Sequence, residues 1–270
     1  MLDEMFKTLS APLPDSGKYL ERIGMGPIKK ADKETLDRLV LAHLRSVPFE
    51  NLDVYDLHAD IALGIPELYD KIVTRRRGGY CFELNAAFTA LLQSLGYNCV
   101  PIAVRVVWHA TCFMPLSHRG TIVTIDGVRY FVDVGFGGPS AQSALLLDER
   151  GEQPSGPNVF VIDKTDEGTA ISYLADGEKV RTLLFYEEPC NPVDFLALNE
   201  YTSKFHASLF RQVRLLNLLT ETGVKTISDN VFKIHSGGDT IEETLDTEEK
   251  FKNTLKNHFG IVIDFPLKLR

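Results

Sequence analysis

The 270-residue sequence has little cysteine, and Cys81, Cys99, Cys112 and Cys190 form no Cys-x-x-Cys pair. Thiols this few and scattered do not make a disulfide scaffold, and no His/Cys/Asp spacing resembles a zinc site, so no metal is expected. Long apolar runs are also missing: no stretch approaches the ~18 uncharged apolar residues of a membrane span. The opening residues, Met1 to Pro14, lack a basic segment, an apolar run and a small-residue cleavage site, so no secretory signal is read there. These absences together point to a reducing, cytoplasmic setting in which the thiols stay free. Basic charge is in deficit, with 29 Lys and Arg against 37 Asp and Glu and a net charge of −8. That balance excludes the basic face of a general nucleic-acid binder, and any anionic ligand must find a local basic or backbone-amide site. There is no internal repeat and no low-complexity linker. The remaining composition, 44% hydrophobic and 24% charged, is that of an ordinary globular chain able to bury a core around a site.

The first third reads as helical. Asp32 is placed to cap a helix with Leu36, Val40 and Leu44 on one face, ending before Pro48, and a shorter helix is expected from Ile65 to Val73. The clearest helix runs from Phe82 to Leu95. Leu84, Ala87, Phe88, Leu91, Leu92 and Leu95 repeat at helical spacing, and Gly96 stands where a C-terminal cap belongs. From Val100 the pattern turns to β. Val100–Trp108 is apolar and β-branched, and Thr121–Ile125 and Val128–Val134 flank Asp126-Gly127, a strong two-residue hairpin signal. Further strands are read at Asn158–Ile162, Ala170–Leu174 and Val180–Tyr186, suggesting an antiparallel sheet or barrel. The last quarter reads as a helix (about Ser208–Leu219), strands near Val231–Ile234, a helix (about Thr247–His258) and a closing strand, Ile261–Phe265.

In Arg77-Gly78-Gly79-Tyr80-Cys81-Phe82-Glu83-Leu84-Asn85 a cysteine occupies the first turn of the clearest helix. Free N–H groups and the positive end of the helix dipole favour a thiolate there, the form that acts as a nucleophile. The glycine pair is expected to open backbone conformations closed to other residues and to admit a ligand. A small, half-buried cysteine at a helix start is the plainer alternative.

Strand arithmetic supplies partners. If Asp126-Gly127 forms a two-residue turn, Ile125 pairs with Val128, Ile122 with Phe131 and Gly120 with Asp133. His118 then shares a face with Gly120, diagonal to Asp133 and within reach of it. A carboxylate holding one imidazole nitrogen leaves the other free to serve a thiol, which is the nucleophile–base–orienter logic of covalent catalysis. The other face, Val123, Ile125, Val128, Tyr130, Val132 and Val134, is expected to pack into a core. Asp133 has the alternative of closing a turn on backbone amides. His43 reads as packing or surface, and His58, His109, His206, His235 and His258 have no comparably placed carboxylate.

Three segments in order, PFENLDV (48–54), RRGGYCFELN (76–85) and the His118-to-Asp133 interval ending in VDVGFGG, resemble the arylamine N-acetyltransferases. The likeness spans the chain and is strongest over 48–139. The resemblance implies an α+β fold with a cysteine-protease-like Cys-His-Asp core. It would comprise a helical bundle carrying the nucleophile (1–95), an antiparallel β-barrel-like domain carrying His and Asp (96–200) and an α/β lid (201–270). It further implies a ping-pong reaction in which acetyl-CoA is the acyl donor and a small arylamine or hydrazine the acceptor. Carried over by position, Cys81 is the nucleophile, His118 its base and Asp133 the orienter, while Phe49, Trp108, Phe136 and Phe210 match acceptor-pocket aromatics. Those four have core packing as an alternative. The turn containing Gly137 and Gly138 is a candidate for presenting amides to the CoA pyrophosphate. Arg75, Arg76 and Arg77 are candidates for attracting phosphates, with at least one of them read instead as a structural ion pair with Glu50, and Met114–Ser117 are read as cleft residues. Departures occur at Arg119-Gly120, where the family more often has apolar residues, and at Leu209, where it usually has proline; these bear on donor preference and lid geometry. Rival readings are a transglutaminase or papain-like peptidase with the same triad order, and a non-catalytic small-molecule binder.

Overall fold

The structure, a computed structural model, describes residues 2–149 and 151–268. Helices α1 (Leu2–Thr8), α2 (Ser16–Arg22), α3 (Lys33–Ser46), α4 (Leu52–Tyr55), α5 (Ile65–Tyr69, extended by a wider π turn over Asp70–Thr74) and α6 (Cys81–Ser94) fill the first third, with a short strand β1 (Phe49–Glu50) between α3 and α4. Asp32 caps α3 as expected, its Oδ1 accepting the Thr35 N–H at 3.0 Å. Helix α6 begins one residue earlier than read from the sequence. It is buried from Cys81 through Leu92, so it forms the axis around which the other helices and one face of a sheet pack.

That sheet holds β2 (Asn98–Val106), β3 (His118–Ile125), β4 (Val128–Val132), β5 (Leu145–Leu146), β6 (Glu152–Ser155), β7 (Asn158–Thr165), β8 (Gly168–Ala175) and β9 (Glu178–Phe185), in the order β5-β4-β3-β2-β9-β8-β7-β6. Every pairing is antiparallel, and the sheet curls into a nearly closed barrel. Its two edges meet through one side chain. Gln153 on β6 accepts the Leu146 N–H of β5 at 2.7 Å and donates to the Leu146 carbonyl at 2.9 Å, standing in for a backbone ladder. Asp126 (φ 50°) and Gly127 (φ 82°) both take the left-handed conformation of a type I′ turn, which sets Ile125 opposite Val128 and Ile122 opposite Phe131. Both faces of this hairpin are buried. Ile122 and Phe131 fill the barrel interior with Val104 and Phe185, whereas Val123, Val132 and Val134 pack into the core around α6. Val128, at the turn, is exposed.

After the barrel come α7 (Asp194–Lys204), α8 (Leu209–Gln212), β10 (Leu215–Leu219), β11 (Gly223–Ser228), β12 (Val231–Ser236), β13 (Asp239–Thr244) and α9 (Glu248–Thr254, continued as a π turn to Phe259). A second sheet runs β1-β10-β11-β12-β13, so the segment before Cys81 supplies an edge of the C-terminal sheet.

Two expectations fail here. The helix read over Ser208–Leu219 stops at Gln212, and residues from Leu215 form β10. Buried Asn51 accounts for the change. Its Nδ2 donates to the carbonyls of Phe210 (3.0 Å) and Val213 (2.9 Å), and its Oδ1 accepts from Leu215 N–H (2.7 Å). These bonds turn the chain out of the helix and onto β1, overriding the leucine-rich helical preference. The closing strand expected at Ile261–Phe265 is irregular backbone without a sheet partner, although Ile261 itself is fully buried against Phe251 and Phe259. Asn51→Ala therefore removes one acceptor and two donor contacts at a buried corner. We expect a loss of roughly 2–4 kcal/mol in urea-unfolding stability; a change below ~0.5 kcal/mol would show that β10 pairs without this anchor.

Candidate active site

Cys81 opens α6, with Tyr80 extended ahead of it and Glu83 Oε2 accepting the Tyr80 N–H at 3.1 Å. The same Glu83 binds Lys71 at 2.7 Å, Lys71 binds Asp53 at 2.7 Å, and Arg77 reaches both Asp53 and Glu50 at 2.7 Å. Five charged groups thus interlock beneath the loop that presents Cys81, and burial makes the loss of any one member expensive. Asp53 is held down to about 2: burial opposes its ionisation, but Lys71 and Arg77 more than offset that. The Arg77–Glu50 pair is the one expected for the arginine run.

The glycine pair serves a different purpose from the one read in the sequence. Neither Gly78 nor Gly79 has a left-handed φ; a Cβ on Gly78 would sit 1.9 Å from the Pro48 carbonyl oxygen, and one on Gly79 would sit 2.8 Å from Glu83 Oε2. Close approach of the protein's own backbone and carboxylate demands glycine here.

His118 begins β3 and Asp133 follows β4, and the diagonal contact closes at 2.6 Å between His118 Nε2 and Asp133 Oδ2. Both are buried, as is Cys81, at 1%, 8% and 2% exposure. The Cys81 Sγ lies 3.7 Å from the carbonyl oxygen of Ser117, the residue before His118, so sulfur and imidazole are neighbours across the mouth of β3. Burial works against a charged imidazole, but the charges and hydrogen bonds of Asp133 and Cys81 win, lifting His118 from its ordinary 6.5 to about 10. Asp133 is itself positioned. Its Oδ1 accepts from Asn85 Nδ2 and from the Gly135 N–H, each at 2.8 Å. Asn85 lies one turn after Cys81, and it also donates to the Arg119 carbonyl at 2.6 Å and accepts the Val134 N–H at 2.9 Å. The sequence reading passed over Asn85, although its spacing of four from Cys81 puts both on one helix face. Gly135 fits because a Cβ there would come within 2.9 Å of Cys81 Cα.

A cavity of about 570 Å³ opens onto Cys81 and His118. Phe49, Trp108, Phe136 and Phe210 all line it, as do Met114, Pro115 and Ser117. Phe136 stands edge-on to the His118 ring with centroids 5.9 Å apart, and Phe49 tilts against Phe210 at 6.0 Å. The described residues of its wall include no Asp, Glu, Lys or Arg. Trp108 Nε1 is closed off from solvent and has no acceptor among the described residues. Phe49, Trp108, Gly137 and Gly138 also line a second, larger cavity of about 820 Å³ whose wall carries Arg45 and Glu221. Gly137 has φ 73°, and its carbonyl accepts from Asn217 at 3.1 Å; a Cβ on Gly138 would press on Phe136 and Trp108. His43 sits elsewhere, fully buried with its Nε2 3.0 Å from the Tyr19 hydroxyl, as packing. The cysteines are all free, and no cluster of His, Cys, Asp and Glu among the described residues is arranged to hold a metal.

Comparison with known proteins places this geometry. A family model described as N-acetyltransferase matches residues 32–268. The arylamine N-acetyltransferase of Mycolicibacterium smegmatis is 31% identical over 258 residues, covering 92% of each chain. The chain belongs to the arylamine N-acetyltransferase family. It is therefore an enzyme of the transferase class. Among solved structures, the arylamine N-acetyltransferase of Mycobacterium tuberculosis superposes with a TM-score of 0.86 at 30% identity, covering 92% of this chain and 94% of that one. The Mycobacterium marinum enzyme, solved in complex with CoA, gives 0.82 at 29% identity, covering 92% and 93%. Among the described residues no helix is long and apolar enough to cross a membrane.

The raised His118 value fixes a sign for stability. A group whose folded value exceeds its unfolded one stabilises fully below the unfolded value, near 6.5, and loses that contribution as pH rises through about 10. The melting temperature is expected to fall between pH ~7 and ~10.5, and to fall less in His118→Asn. Parallel curves for the two proteins would show that His118 is not held as a cation.

Proposed function

We propose that this enzyme moves an acetyl group from acetyl-CoA to an arylamine or arylhydrazine by a ping-pong cycle through acyl-Cys81. One observation carries the reading: Cys81 and His118 both line a cavity whose described wall residues include no carboxylate, and Asp133, behind the imidazole, bonds it at 2.6 Å. In this scheme His118 takes the Cys81 proton through Nδ1, and the thiolate attacks the thioester carbonyl. Free N–H groups at the start of α6 are suited to receive the developing oxyanion. The CoA sulfur departs with the proton from His118, leaving acyl-Cys81. An amine nitrogen then attacks the acyl carbon, passes its proton to His118, and Cys81 is released as the thiol. Asp133, held by Asn85 and the Gly135 amide, keeps the imidazole in one tautomer and orientation.

The cavity wall supports the acceptor class. An alkylammonium entering it would lose its water and meet no counter-ion, a penalty of several kcal/mol, whereas an aromatic amine is uncharged at neutral pH and keeps its lone pair. Phe49, Trp108, Phe136 and Phe210 offer ring faces and edges to such an acceptor. The larger cavity beyond Gly137 and Gly138, with Arg45 on its wall, is where we place the remainder of CoA. In this scheme residues 1–95 bring the nucleophile, 96–200 the His and Asp, and 201–270 cover them as a lid. Free thiols suit a reducing cytoplasm.

Steady-state kinetics with acetyl-CoA and an aniline should give parallel double-reciprocal lines, as substituted-enzyme cycles do. Asp133→Asn should lower kcat by at least ~10³-fold while leaving the fold intact, because the amide favours the wrong tautomer. Intersecting lines, or wild-type rates in Asp133→Asn, would sink the scheme.

A further inference from the structure

The three arginines at 75–77 have different fates. Arg75 pairs with Asp70 at 2.8 Å, and Arg77 with Glu50 and Asp53 at 2.7 Å, but Arg76 has no carboxylate partner among the described residues. It stands at φ 53°, a left-handed conformation uncommon for a residue with a Cβ, between the π turn that follows α5 and the glycine pair. Arg76 opens onto a pocket of about 290 Å³ whose wall also holds Lys18 and Arg22 of α2. Arg22 is 7% exposed and likewise lacks a carboxylate among the described residues. Its Nε donates to the Ile72 carbonyl at 3.0 Å and its Nη1 to the Ser46 carbonyl at 2.6 Å, which fixes the guanidinium between α3 and the π turn. Its Nη2 has no partner among the described residues and is not sealed from solvent, so it faces the pocket that the residue lines. A buried cation without a counter-ion is expensive; burial first, and the neighbouring Arg76 charge second, pull Arg22 down to about 10. The Lys18 ammonium and the Tyr69 and Thr74 hydroxyls on the same wall also lack partners among the described residues. Glu21 is the one carboxylate among the described lining residues, so three cations face one anion.

We propose that this pocket binds a phosphate-type oxyanion, either free phosphate or the phosphoryl group of a small metabolite, through Arg22 Nη2, the Arg76 guanidinium and the Lys18 ammonium. A tetrahedral dianion supplies the counter-charge that the two guanidinium groups lack, and its oxygens accept several charge-assisted hydrogen bonds at once. The Tyr69 and Thr74 hydroxyls add neutral donors to the same wall. The chain as a whole carries −8, so an anion is drawn to such a local concentration of cations and not to the surface at large. The volume lies at the lower end for small-molecule sites, which suits a compact ligand. This site is separate from the one already described: no residue of its wall lines the cavity at Cys81 or the larger cavity that holds Arg45. A ligand bridging Arg22 and Arg76 joins α2 to the loop that leads through Arg77 to Cys81.

Calorimetric titration of the protein with inorganic phosphate, paired with melting curves against sodium chloride of equal ionic strength, tests the site without any acyl-CoA. Phosphate at ten times its dissociation constant should raise the melting temperature by about 3–5 °C beyond the chloride control. Arg76 is exposed, so Arg76→Gln should fold normally and weaken phosphate binding at least ~10-fold, whereas Arg45→Gln, in the larger cavity, should leave it unchanged. Glycerol 3-phosphate separates the two sources of the oxyanion. Tighter binding than phosphate assigns the site to a phosphorylated metabolite, and equal or weaker binding assigns it to the free anion; both support the pocket. A response no larger than that to chloride overturns the proposal, as does undiminished phosphate binding in Arg76→Gln or its loss in Arg45→Gln.

Discussion

Helix α6 has to start where strand β4 ends. A Cβ on Gly135 would come within 2.9 Å of Cys81 Cα, so the backbone of one element rests on the other. Across this contact Asn85 satisfies the Val134 amide, the Arg119 carbonyl and one oxygen of Asp133 together. One asparagine therefore sets the distance between a helix that presents a sulfur and a hairpin that presents an imidazole. Without that spacing the three side chains would belong to separate layers. Cooperative, fully satisfied networks of this kind hold a geometry more tightly than their separate bonds would suggest.

The opposite end of the constraint is ionic. Glu83 caps the first turn of α6 and also joins the Lys71–Asp53–Arg77–Glu50 chain, so the loop from Arg77 to Cys81 cannot move without breaking buried charge pairs. Glu50 lies on β1, which pairs with β10 of the second sheet, and Phe49 beside it reaches the cavity wall. Rigidity at Cys81 and the shape of the cavity are thus set by one stretch of chain.

Local rules reached the hairpin because its turn is chemically explicit. Asp126-Gly127 takes two left-handed residues, register follows, and alternation places His118 diagonal to Asp133. They did not reach features decided by distant partners. The need for glycine at 78 comes from the Pro48 carbonyl, and the end of α8 comes from Asn51, more than 150 residues earlier in the chain. Asn85 showed its spacing from Cys81 but not its partners, which lie 34 to 49 residues onward in another layer. The helix α7 and strands β5, β6, β11 and β13 passed unread, being short or weakly patterned.

The central claim is that one sulfur carries the acyl group. Mixing the enzyme with acetyl-CoA and no acceptor, then measuring intact mass and mapping peptides, tests it directly. The account predicts a single added acetyl group on Cys81, absent in Cys81→Ser and discharged when an aniline is supplied. An acetyl group found on another residue, or turnover without any adduct at Cys81, would contradict it.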